Sequence, residues 1–297
     1  MDAVLPLTVR DVSRARLLFD SLAPRFRGLG TLWIVSPDTD SALIESSLRE
    51  YKGRLDLQVV PETRIAPELA HAPWLKGWYR QQLVKLAIHE HIASPFYLTL
   101  DADVICVREL TPEDLTPGGR AICHVVEQDL HGDWYAASEA VLGLSPRRRG
   151  ISHNVTPAVL SREAVAELAT YLSGRAQARH FASGFRGLKQ RLWSLGSSSR
   201  SYRGLLAASA PWTEYALYYT FLEATQRFDR YHSYSEHCIY DIDRSVWRSE
   251  RQRFAALSPD ECFEGAGPPW FLVVQSNTEL SPELVRQKLG AQLSHVG

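Results

Sequence analysis

The sequence lacks a long hydrophobic run: no uninterrupted apolar segment reaches the roughly 18 residues that a membrane-spanning helix needs. It also lacks an excess of one charge. Its formal net charge is −1 at pH 7, and this near balance gives no indication of a nucleic-acid partner. The amino terminus has an aspartate at position two and no long apolar segment, so no secretion signal is apparent. We therefore expect a cytoplasmic protein.

Cysteine is scarce, with four residues in a chain of 297. Cys106, Cys123, Cys238 and Cys262 form neither a close pair nor a zinc-like spacing. Cys106 and Cys123 lie in apolar, strand-like runs, which predicts that they are core residues. What the chain does have is an apolar content of 45%, enough to bury a large core as one big domain or two.

The first hundred residues alternate between strand and helix patterns. Strands are predicted near residues 5–9, 31–35, 55–60 and 95–100, and helices near residues 12–22, 41–51 and 77–91. Strands separated by helices predict a largely parallel sheet covered on both faces. The second half is more mixed, with strands predicted near 121–126, 155–160 and 271–274, and helices near 134–144, 164–172, 214–225 and 282–293. Because no internal repeat or clean linker is present, we predict one α/β domain.

An apolar run that ends in two aspartates is the most informative segment for function. Residues 96–107 read FYLTLDADVICV, so Asp101 and Asp103 follow a predicted strand, where ligands bind in parallel sheets. Side chains two residues apart on an extended chain point to one face, where these carboxylates would repel each other by about 2–3 kcal/mol. Mg²⁺ or Mn²⁺, which prefer oxygen ligands, would remove this repulsion. The alternative is a strand that ends in a solvated turn, although apolar residues resume directly after Asp103.

The strand followed by Asp101-Ala102-Asp103 resembles the metal-binding signature of GT-A-fold glycosyltransferases. Upstream, Lys85 lies on the preceding helix at a spacing similar to that of the glycogenin-like branch, in which the corresponding lysine contacts the donor. Downstream, residues 152–160 resemble the segment that lines the donor-sugar pocket, and PWTEY resembles the later acidic motif. Together GWYRQQLVKL, LDADVI and PWTEYALYYTFLEA are similar to an uncharacterised bacterial glycosyltransferase-like domain family, and the resemblance covers most of the chain.

The resemblance implies a GT-A-type, Rossmann-like mixed sheet flanked by helices in a single domain, 1–297. Residues 1–110 would form the nucleotide-binding half and residues 111–297 the donor-sugar and acceptor half, with a basic insertion at about 174–210. The implied activity is transfer of a sugar from a nucleotide diphosphate sugar, with UDP as the expected nucleotide. The acceptor would be a glycan, a lipid-linked molecule or a small molecule. The implied cofactor is Mn²⁺ or Mg²⁺.

Donor-binding residues are predicted from three observations. Strand-end position alone indicates Val9 and Ser36 for the nucleoside. Positive charge indicates Arg10, Arg80 and Lys85 for the phosphates, although such residues on helices are usually solvated. The resemblance indicates Asp101, Ala102, Asp103, His153, Asn154 and Thr156.

The third metal ligand is left open by the sequence. Many relatives have a late histidine as a further ligand, whereas the late strand here runs into Gln275, Ser276 and Asn277. Asn277 is the candidate ligand from this segment. The alternatives are a water molecule, or recruitment of His232 or His237.

Glu214 is the candidate catalytic base. It follows Thr213 at a predicted helix start, where the positive end of the helix dipole would keep a carboxylate ionised. In an inverting reaction a base must remove the proton of the acceptor hydroxyl, and in a retaining reaction Glu214 could instead stabilise the cationic sugar. The structural alternative is a helix-capping acid paired with Thr213.

The segment from residue 171 to residue 213 contains no Asp or Glu but has seven Lys or Arg residues, interleaved with apolar ones. We predict either a lid over the donor phosphates or a surface that meets an anionic or lipid-linked acceptor, with peripheral membrane contact. The alternative is a solvated insertion. A second acid pair, Asp241 and Asp243, is predicted to be a solvated turn with a local ion pair to Arg244.

Two other functions remain open from the sequence. Phosphatases of the haloacid-dehalogenase type also place Asp-x-Asp after an apolar strand, with the first aspartate, here Asp101, as nucleophile. That pattern usually lies near the amino terminus and needs a later lysine and a further acidic pair, for which no convincing candidate is present. A non-catalytic sugar-nucleotide-binding protein is the other alternative.

Overall fold

A five-stranded sheet lies at the centre of the fold. The structure, a computed structural model, describes residues 1–128, 130–146, 150–153, 155–182, 201–209 and 211–294. The strands are Asp2–Pro6 (β1), Leu32–Ser36 (β2), Leu57–Pro61 (β3), Phe96–Thr99 (β4), Val104–Cys106 (β5), Ala121–Val126 (β6), Ser152–His153 (β7), Ala158–Ser161 (β8), His232–Ser235 (β9) and Phe271–Val273 (β10). The helices are Val12–Arg25 (α1), Ser41–Ser47 (α2), Glu62–Ile65 (α3), Gly77–Ala87 (α4), Pro112–Leu115 (α5), Gly132–Leu142 (α6), Arg162–Ala182 (α7), Tyr202–Ala208 (α8), Glu214–Ala224 (α9), Phe228–Tyr231 (α10), Arg253–Ala256 (α11), Pro259–Phe263 (α12) and Pro282–Leu293 (α13).

The central sheet is mixed, with the strand order β3-β2-β1-β4-β8. The first four strands in this order are parallel, and β8 runs antiparallel to β4. The carboxyl ends of β1 to β4 therefore lie at one edge of the sheet, which is where open α/β sheets bind ligands. The predicted mixed sheet in a single α/β domain is confirmed.

Two smaller sheets extend the fold beyond β4. In one, β5 and β10 pair antiparallel, with Ile105 opposite Leu272. In the other, the strand order is β7-β6-β9. The pairing of β5 with β10 brings the segment after residue 273 next to the chain that leaves β4, so the late strand lies beside the acid pair as predicted.

Helices cover both faces of the central sheet. On one face, Leu83 and Leu86 of α4 pack with side chains of α7 and α9 against the sheet. On the other face, Phe19 of α1 and Ile44 of α2 form the core. All of these side chains are almost completely buried, and each such burial stabilises the fold by about 1.5–3 kcal/mol. The apolar sides of these helices therefore face the sheet.

The two ends of the chain are joined by buried arginines of α1. Arg14 donates hydrogen bonds to the carbonyl oxygens of Val274 (3.0 Å) and Leu280 (2.6 Å). Arg25 donates to the carbonyl oxygen of Leu293 (2.7 Å). Both guanidinium groups satisfy carbonyls that would otherwise be buried without a donor. The carboxyl-terminal segment is thus part of the same structural unit as the first helix.

The first strand ends earlier than its sequence pattern predicts. β1 ends at Pro6, whereas a strand was predicted as far as Val9. The Thr8 hydroxyl donates to the Asp11 carboxylate (2.7 Å), and the Asp40 carboxylate accepts from the Val9 N–H (3.1 Å). These polar side chains stabilise a turn where hydrophobicity alone predicted an extended chain.

Asp2, at the start of β1, accepts hydrogen bonds from three backbone N–H groups, those of Thr31 (3.2 Å), Ala93 (3.1 Å) and Ser94 (3.3 Å). We expect Asp2→Ala to lower the free energy of unfolding by about 2–3 kcal/mol, because three donors lose a charged acceptor. Urea denaturation measures this change. Asp56→Ala, which removes an exposed acceptor of the Thr31 hydroxyl, is the control and should change stability by no more than about 0.5 kcal/mol. Equal losses in the two variants would contradict the assignment.

Candidate active site

The predicted acid pair lies in the turn between β4 and β5, at the carboxyl edge of the central sheet. Asp103 is fixed by hydrogen bonds from the Ser276 N–H to its Oδ2 (2.9 Å) and from the Val274 N–H to its carbonyl oxygen (3.0 Å). Asp101 is less fixed, and its side chain is 38% exposed. Both carboxylates line a cleft of about 410 Å³, while Ala102 between them is half-buried against the core. Asp101 and Asp103 thus lie beside a cleft, and their role as ligands stays a prediction.

The surroundings of Asp103 change its protonation. Burial and the neighbouring Asp101 carboxylate raise the pKa of Asp103 to about 6. The hydrogen bond from Ser276 opposes this shift, because it stabilises the charged form. A carboxylate pair with this repulsion favours a cation between its members.

Lys85 of α4 is buried behind the acid pair and connects it to the second half of the chain. Its ammonium nitrogen lies 2.9 Å from Asp101 Oδ1, 3.1 Å from Glu214 Oε1 and 2.9 Å from Thr156 Oγ1. Burial by itself would lower the pKa of Lys85, but the neighbouring Asp101, Tyr215 and Glu214 side chains together raise it well above its usual value. Lys85 is therefore a permanent cation that holds two carboxylates in place.

Glu214 begins α9 and is almost completely buried at the base of the cleft. Its backbone N–H donates to Gln82 Oε1 (2.9 Å), while the helix cap is the Thr213 hydroxyl, which accepts from the Ala216 N–H. Glu214 thus does not act as a cap. Its Oε1 contacts Lys85, and its Oε2 has no hydrogen-bond partner within the described residues.

The expectation that a helix start keeps Glu214 ionised is not supported by its surroundings. Burial is the largest effect and raises the pKa of Glu214 above its usual value, although the Lys85 ammonium opposes the shift. The charge of Asp101 raises it further. Glu214 is therefore a stronger proton acceptor than an exposed glutamate, which suits a base.

A row of hydroxyl groups behind the cleft was missed by the sequence analysis. The Thr156 hydroxyl lies 2.6 Å from the Tyr215 hydroxyl, which lies 2.8 Å from the Thr99 hydroxyl. Thr99 in turn donates to the carbonyl oxygen of Ala158 (2.9 Å). This row of hydrogen bonds orients the Thr156 hydroxyl, which accepts from the Lys85 ammonium. The signal in the sequence was Thr99, the polar residue inside the otherwise apolar strand that precedes the aspartates.

The acid pair fits a divalent cation that shares its ligands with a donor. Asp101 Oδ1 contacts Lys85 and Asp103 Oδ2 accepts from Ser276, so each carboxylate keeps a second oxygen for a metal ion. Within the described ranges, no group of three or more His, Cys, Asp or Glu side chains could hold a metal by itself. Mg²⁺ is commonly bound by one or two carboxylates together with substrate phosphates and water, and Mn²⁺ accepts the same ligands. The chain would thus supply two oxygens and the donor several others.

The candidates for a third ligand are not brought to the acid pair. Asn277 is exposed in a short 3-10 turn, Ser276–Thr278, and it is Gln275 whose side chain lines the cleft. His232 is buried in β9, where its Nε2 lies 2.8 Å from the Tyr218 hydroxyl and burial lowers its pKa to about 3. His237 is exposed and does not line the described cleft. The late segment reaches Asp103 through a backbone N–H instead.

Arg80 does not reach the cleft. Its guanidinium donates to Glu62 Oε1 (3.0 Å from Nε) and to the carbonyl oxygens of Leu69 (3.3 Å) and Ala72 (3.1 Å). These bonds hold the loop before α4. The prediction that Arg80 contacts donor phosphates is therefore not supported by its position.

Val9, Arg10 and Ser36 lie at the predicted edge of the sheet but outside the cleft around the aspartates. Val9 and Arg10 form a 3-10 turn after β1, and Ser36 ends β2. Arg10 is exposed, whereas Ser36 is buried with its hydroxyl 2.8 Å from the Ser41 hydroxyl. Their role toward a nucleoside stays a prediction based on strand-end position.

His153 lies in a second cavity of about 260 Å³, lined by a different face of α6. Its ring stacks on Tyr219 at 4.3 Å between centroids, and its Nδ1 lies 3.0 Å from the Tyr135 hydroxyl. The structure therefore separates the His153 side chain from the acid pair. Asn154 lies outside the described residues. Thr156, from the same predicted segment, does line the cleft.

Most of the basic insertion predicted at about 174–210 lies outside the described residues, including 183–200 and 210. At its described end, Arg203 forms ion pairs with Glu68 and Glu90, so this arginine is held by internal contacts. Among the residues that the structure describes, no helix is long and apolar enough to cross a membrane. The lid and membrane-contact interpretations stay predictions.

The second acid pair forms the predicted turn with a local ion pair, but Asp241 is buried and not solvated as predicted. The Asp241 carboxylate accepts from the Arg244 backbone N–H (2.8 Å) and from its guanidinium (3.0 Å). Asp243 is exposed and lies outside the described lining of the cleft. This pair is a turn with a local ion pair.

The architecture is that of GT-A glycosyltransferases, which confirms the resemblance predicted from the sequence. Mouse xyloside xylosyltransferase 1, in its apo form, matches with a TM-score of 0.50 at 13% identity, over 95% of this chain and 100% of that chain. The galactosyltransferase LgtC, in complex with donor and acceptor sugar analogues, matches with a TM-score of 0.48 at 13% identity, over 100% of this chain and 98% of that chain. The glycosyltransferase GlyE of Streptococcus pneumoniae TIGR4 matches with a TM-score of 0.45 at 12% identity, over 98% of this chain and 61% of that chain.

The chain belongs to the family of unknown function DUF6492, which matches residues 1–295. No curated protein sequence matches this chain. Because these solved structures are only 12% or 13% identical to this chain, the likeness shows the fold alone.

Proposed function

We propose that this chain is a metal-dependent glycosyltransferase that moves a sugar from a nucleotide diphosphate sugar, expected to be a UDP-sugar, to an acceptor hydroxyl. The observation that supports this proposal most is the position of Asp101 and Asp103 at the carboxyl end of β4 in a GT-A fold, facing a cleft. Lys85 is buried in contact with Asp101, and Glu214 is buried in contact with Lys85, so the cleft has a charged centre suited to polar chemistry.

The charges of the cleft support a requirement for a cation. Its described lining contains three carboxylates, Asp101, Asp103 and Glu214, and one ammonium, Lys85. The diphosphate of a donor is itself an anion, so the carboxylates alone would repel it. A divalent ion held by the aspartates would offset this repulsion and bind the diphosphate.

The roles of the protein groups follow from their contacts. A bound Mn²⁺ or Mg²⁺ would neutralise charge on the departing diphosphate. Lys85 fixes the orientation of Asp101. It also binds Thr156 and so fixes that part of the cleft lining. Glu214, whose Oε2 has no hydrogen-bond partner among the residues that the structure describes and whose pKa is raised by burial, accepts the proton of the acceptor hydroxyl in an inverting reaction. In a retaining reaction the same carboxylate stabilises the cationic sugar.

Removal of metal tests the proposal directly. The protein is incubated with a panel of nucleotide diphosphate sugars, and release of nucleoside diphosphate is followed with Mn²⁺, with Mg²⁺ and with EDTA. We expect slow hydrolysis of at least one UDP-sugar with Mn²⁺ and loss of that activity in EDTA, because the diphosphate would then face the carboxylates without a cation. Addition of Mn²⁺ in excess over EDTA should restore it.

The same assay separates the alternatives. Release of phosphate from generic phosphomonoesters, with a phosphorylated Asp101, would support the phosphatase and contradict the transferase. Binding of a UDP-sugar without hydrolysis or transfer would support a non-catalytic binding protein. The GT-A fold favours the transferase over the phosphatase, and the intact pair of carboxylates in the cleft favours it over a non-catalytic binding protein.

A further inference from the structure

Aromatic side chains from two helices form an exposed wall of the cleft. The ring centroids of Trp78 in α4 and Trp134 in α6 lie 5.7 Å apart, and Trp134 stacks on His131 at 4.0 Å with an interplanar angle of 16°. Trp78 is 43% exposed and the adjoining Leu130 is 56% exposed. We call Trp78, Leu130, His131 and Trp134 the aromatic wall. Clustered exposed apolar side chains of this kind mark a binding surface.

A second segment brings further apolar side chains to the same cleft. Tyr240 and Trp247 contact each other at 6.0 Å between ring centroids, and Ile242 between them in sequence is 43% exposed. Two amide side chains, Gln81 and Gln275, lie in the same lining. The cleft therefore combines ring faces with hydrogen-bonding groups, which is the usual composition of a small-molecule site.

Away from the reaction centre, the described lining of the cleft contains no Asp, Glu, Lys or Arg, and His131 is the one histidine in it. Every Asp, Glu, Lys or Arg in that lining belongs to the group formed by Lys85, Asp101, Asp103 and Glu214. A phosphate or carboxylate placed on the aromatic wall would find no described lysine or arginine there and would lie near three carboxylates. The charge distribution therefore favours a neutral occupant.

We propose that the aromatic wall binds a neutral saccharide acceptor, with a pyranose ring stacked on the exposed face of Trp78. This inference rests on the proposed function, because it places the acceptor in the same cleft as Glu214 and the acid pair. A pyranose has an apolar face of C–H groups, which suits an indole, and an edge of hydroxyls, which suits the amides of Gln81 and Gln275. The Gln275 amide oxygen already accepts from the Arg248 N–H, but an alkyl chain in the same place would offer no hydrogen bond to the Gln275 amide nitrogen or to the Gln81 amide.

A glycan array tests this proposal. Fluorescently labelled protein with Mn²⁺ and UDP is applied to an array of neutral, sialylated and phosphorylated glycans. We expect binding to neutral glycans, and binding about tenfold weaker for Trp78→Ala because the stacking surface is lost. Trp74→Ala is the matched control. Trp74 is another exposed tryptophan, 58% exposed and outside the described lining, so its removal should leave both binding and donor hydrolysis unchanged.

Several outcomes would overturn the proposal. These are binding to no glycan, binding only to sialylated or phosphorylated glycans, and equal binding by wild type and Trp78→Ala. Attachment to phosphatidylglycerol vesicles that is lost in Trp78→Ala, with a negative array, would indicate a lipid acceptor instead. Nucleoside diphosphate release, measured in parallel without saccharide, separates the two proposals: normal release with a negative array contradicts only the saccharide site.

Discussion

Asp103→Asn is expected to lower the rate of nucleoside diphosphate release at saturating Mn²⁺ by about 10²–10³-fold. Asparagine preserves the shape of the side chain and can still accept the hydrogen bond from Ser276, so the turn after β4 should persist. What is lost is one of the two charges that, under the proposed function, would hold the metal against the donor diphosphate. Steady-state rates with a UDP-sugar identified from the panel measure the effect.

Asp243→Asn is the matched control for this variant. Asp243 belongs to the other Asp-x-Asp sequence of the chain, yet it lies outside the described lining of the cleft. Its rate should equal that of wild type. Wild-type activity of Asp103→Asn, or an equal loss in both variants, would show that the acid pair after β4 has no special role.

Lys85→Met is expected to lower the free energy of unfolding by about 3–5 kcal/mol, measured by urea denaturation in EDTA. Methionine fills a similar volume, so the loss is electrostatic. Glu214, 1% exposed, would keep a buried charge with no cation beside it, and Asp101 would lose its partner. Lys52→Met, which removes an exposed ion pair with Glu45, is the control and should leave the denaturation midpoint unchanged.

The size of the Lys85→Met effect should depend on pH. Burial already raises the pKa of Glu214, and removal of the Lys85 ammonium raises it further. A carboxyl whose pKa is higher in the folded state than in the unfolded state binds its proton more tightly when folded, so acid favours the folded variant. The loss should therefore be smaller at pH 5 than at pH 8. The double variant Lys85→Met/Glu214→Gln should recover part of the stability at pH 8, and no recovery would mean that the two side chains are not coupled.

The position of the acid pair could be predicted because its determinants are local. An apolar strand, two acids at a spacing of two and a resumed apolar run are all contained in residues 96–107. Parallel strands place their carboxyl ends at one edge, so Asp101 had to lie there. The helix pattern likewise placed Lys85 on α4 before that strand.

The partners of these residues could not be predicted, because packing between distant segments selects them. Lys85 and Glu214 are separated by 129 positions, and only the packing of α9 against α4 brings them together. Arg80 and Lys85 are five residues apart, about 140° around a helix, so they point to different sides of α4. Charge alone could not tell which of the two faces the cleft.

The sequence pattern also could not predict strand β9 or the third metal ligand. His232–Ser235 is polar, and its pairing with β6 depends on a neighbouring chain rather than on its own hydrophobicity. Asn277 follows β10 by only a few residues, but the 3-10 turn after Gln275 directs a backbone N–H, not the Asn277 side chain, to Asp103.

The bonds from the first helix to the end of the chain limit how this architecture can be recombined. A chimera that joined residues 1–110 of one relative to the remainder of another would have to preserve the carbonyl positions that Arg14 and Arg25 bind, as well as the edge pairing of β8 with β4. A mismatch at either arginine would leave a buried guanidinium without an acceptor, which would destabilise the hybrid protein. A hybrid that lost these contacts should therefore be less stable than either parent protein.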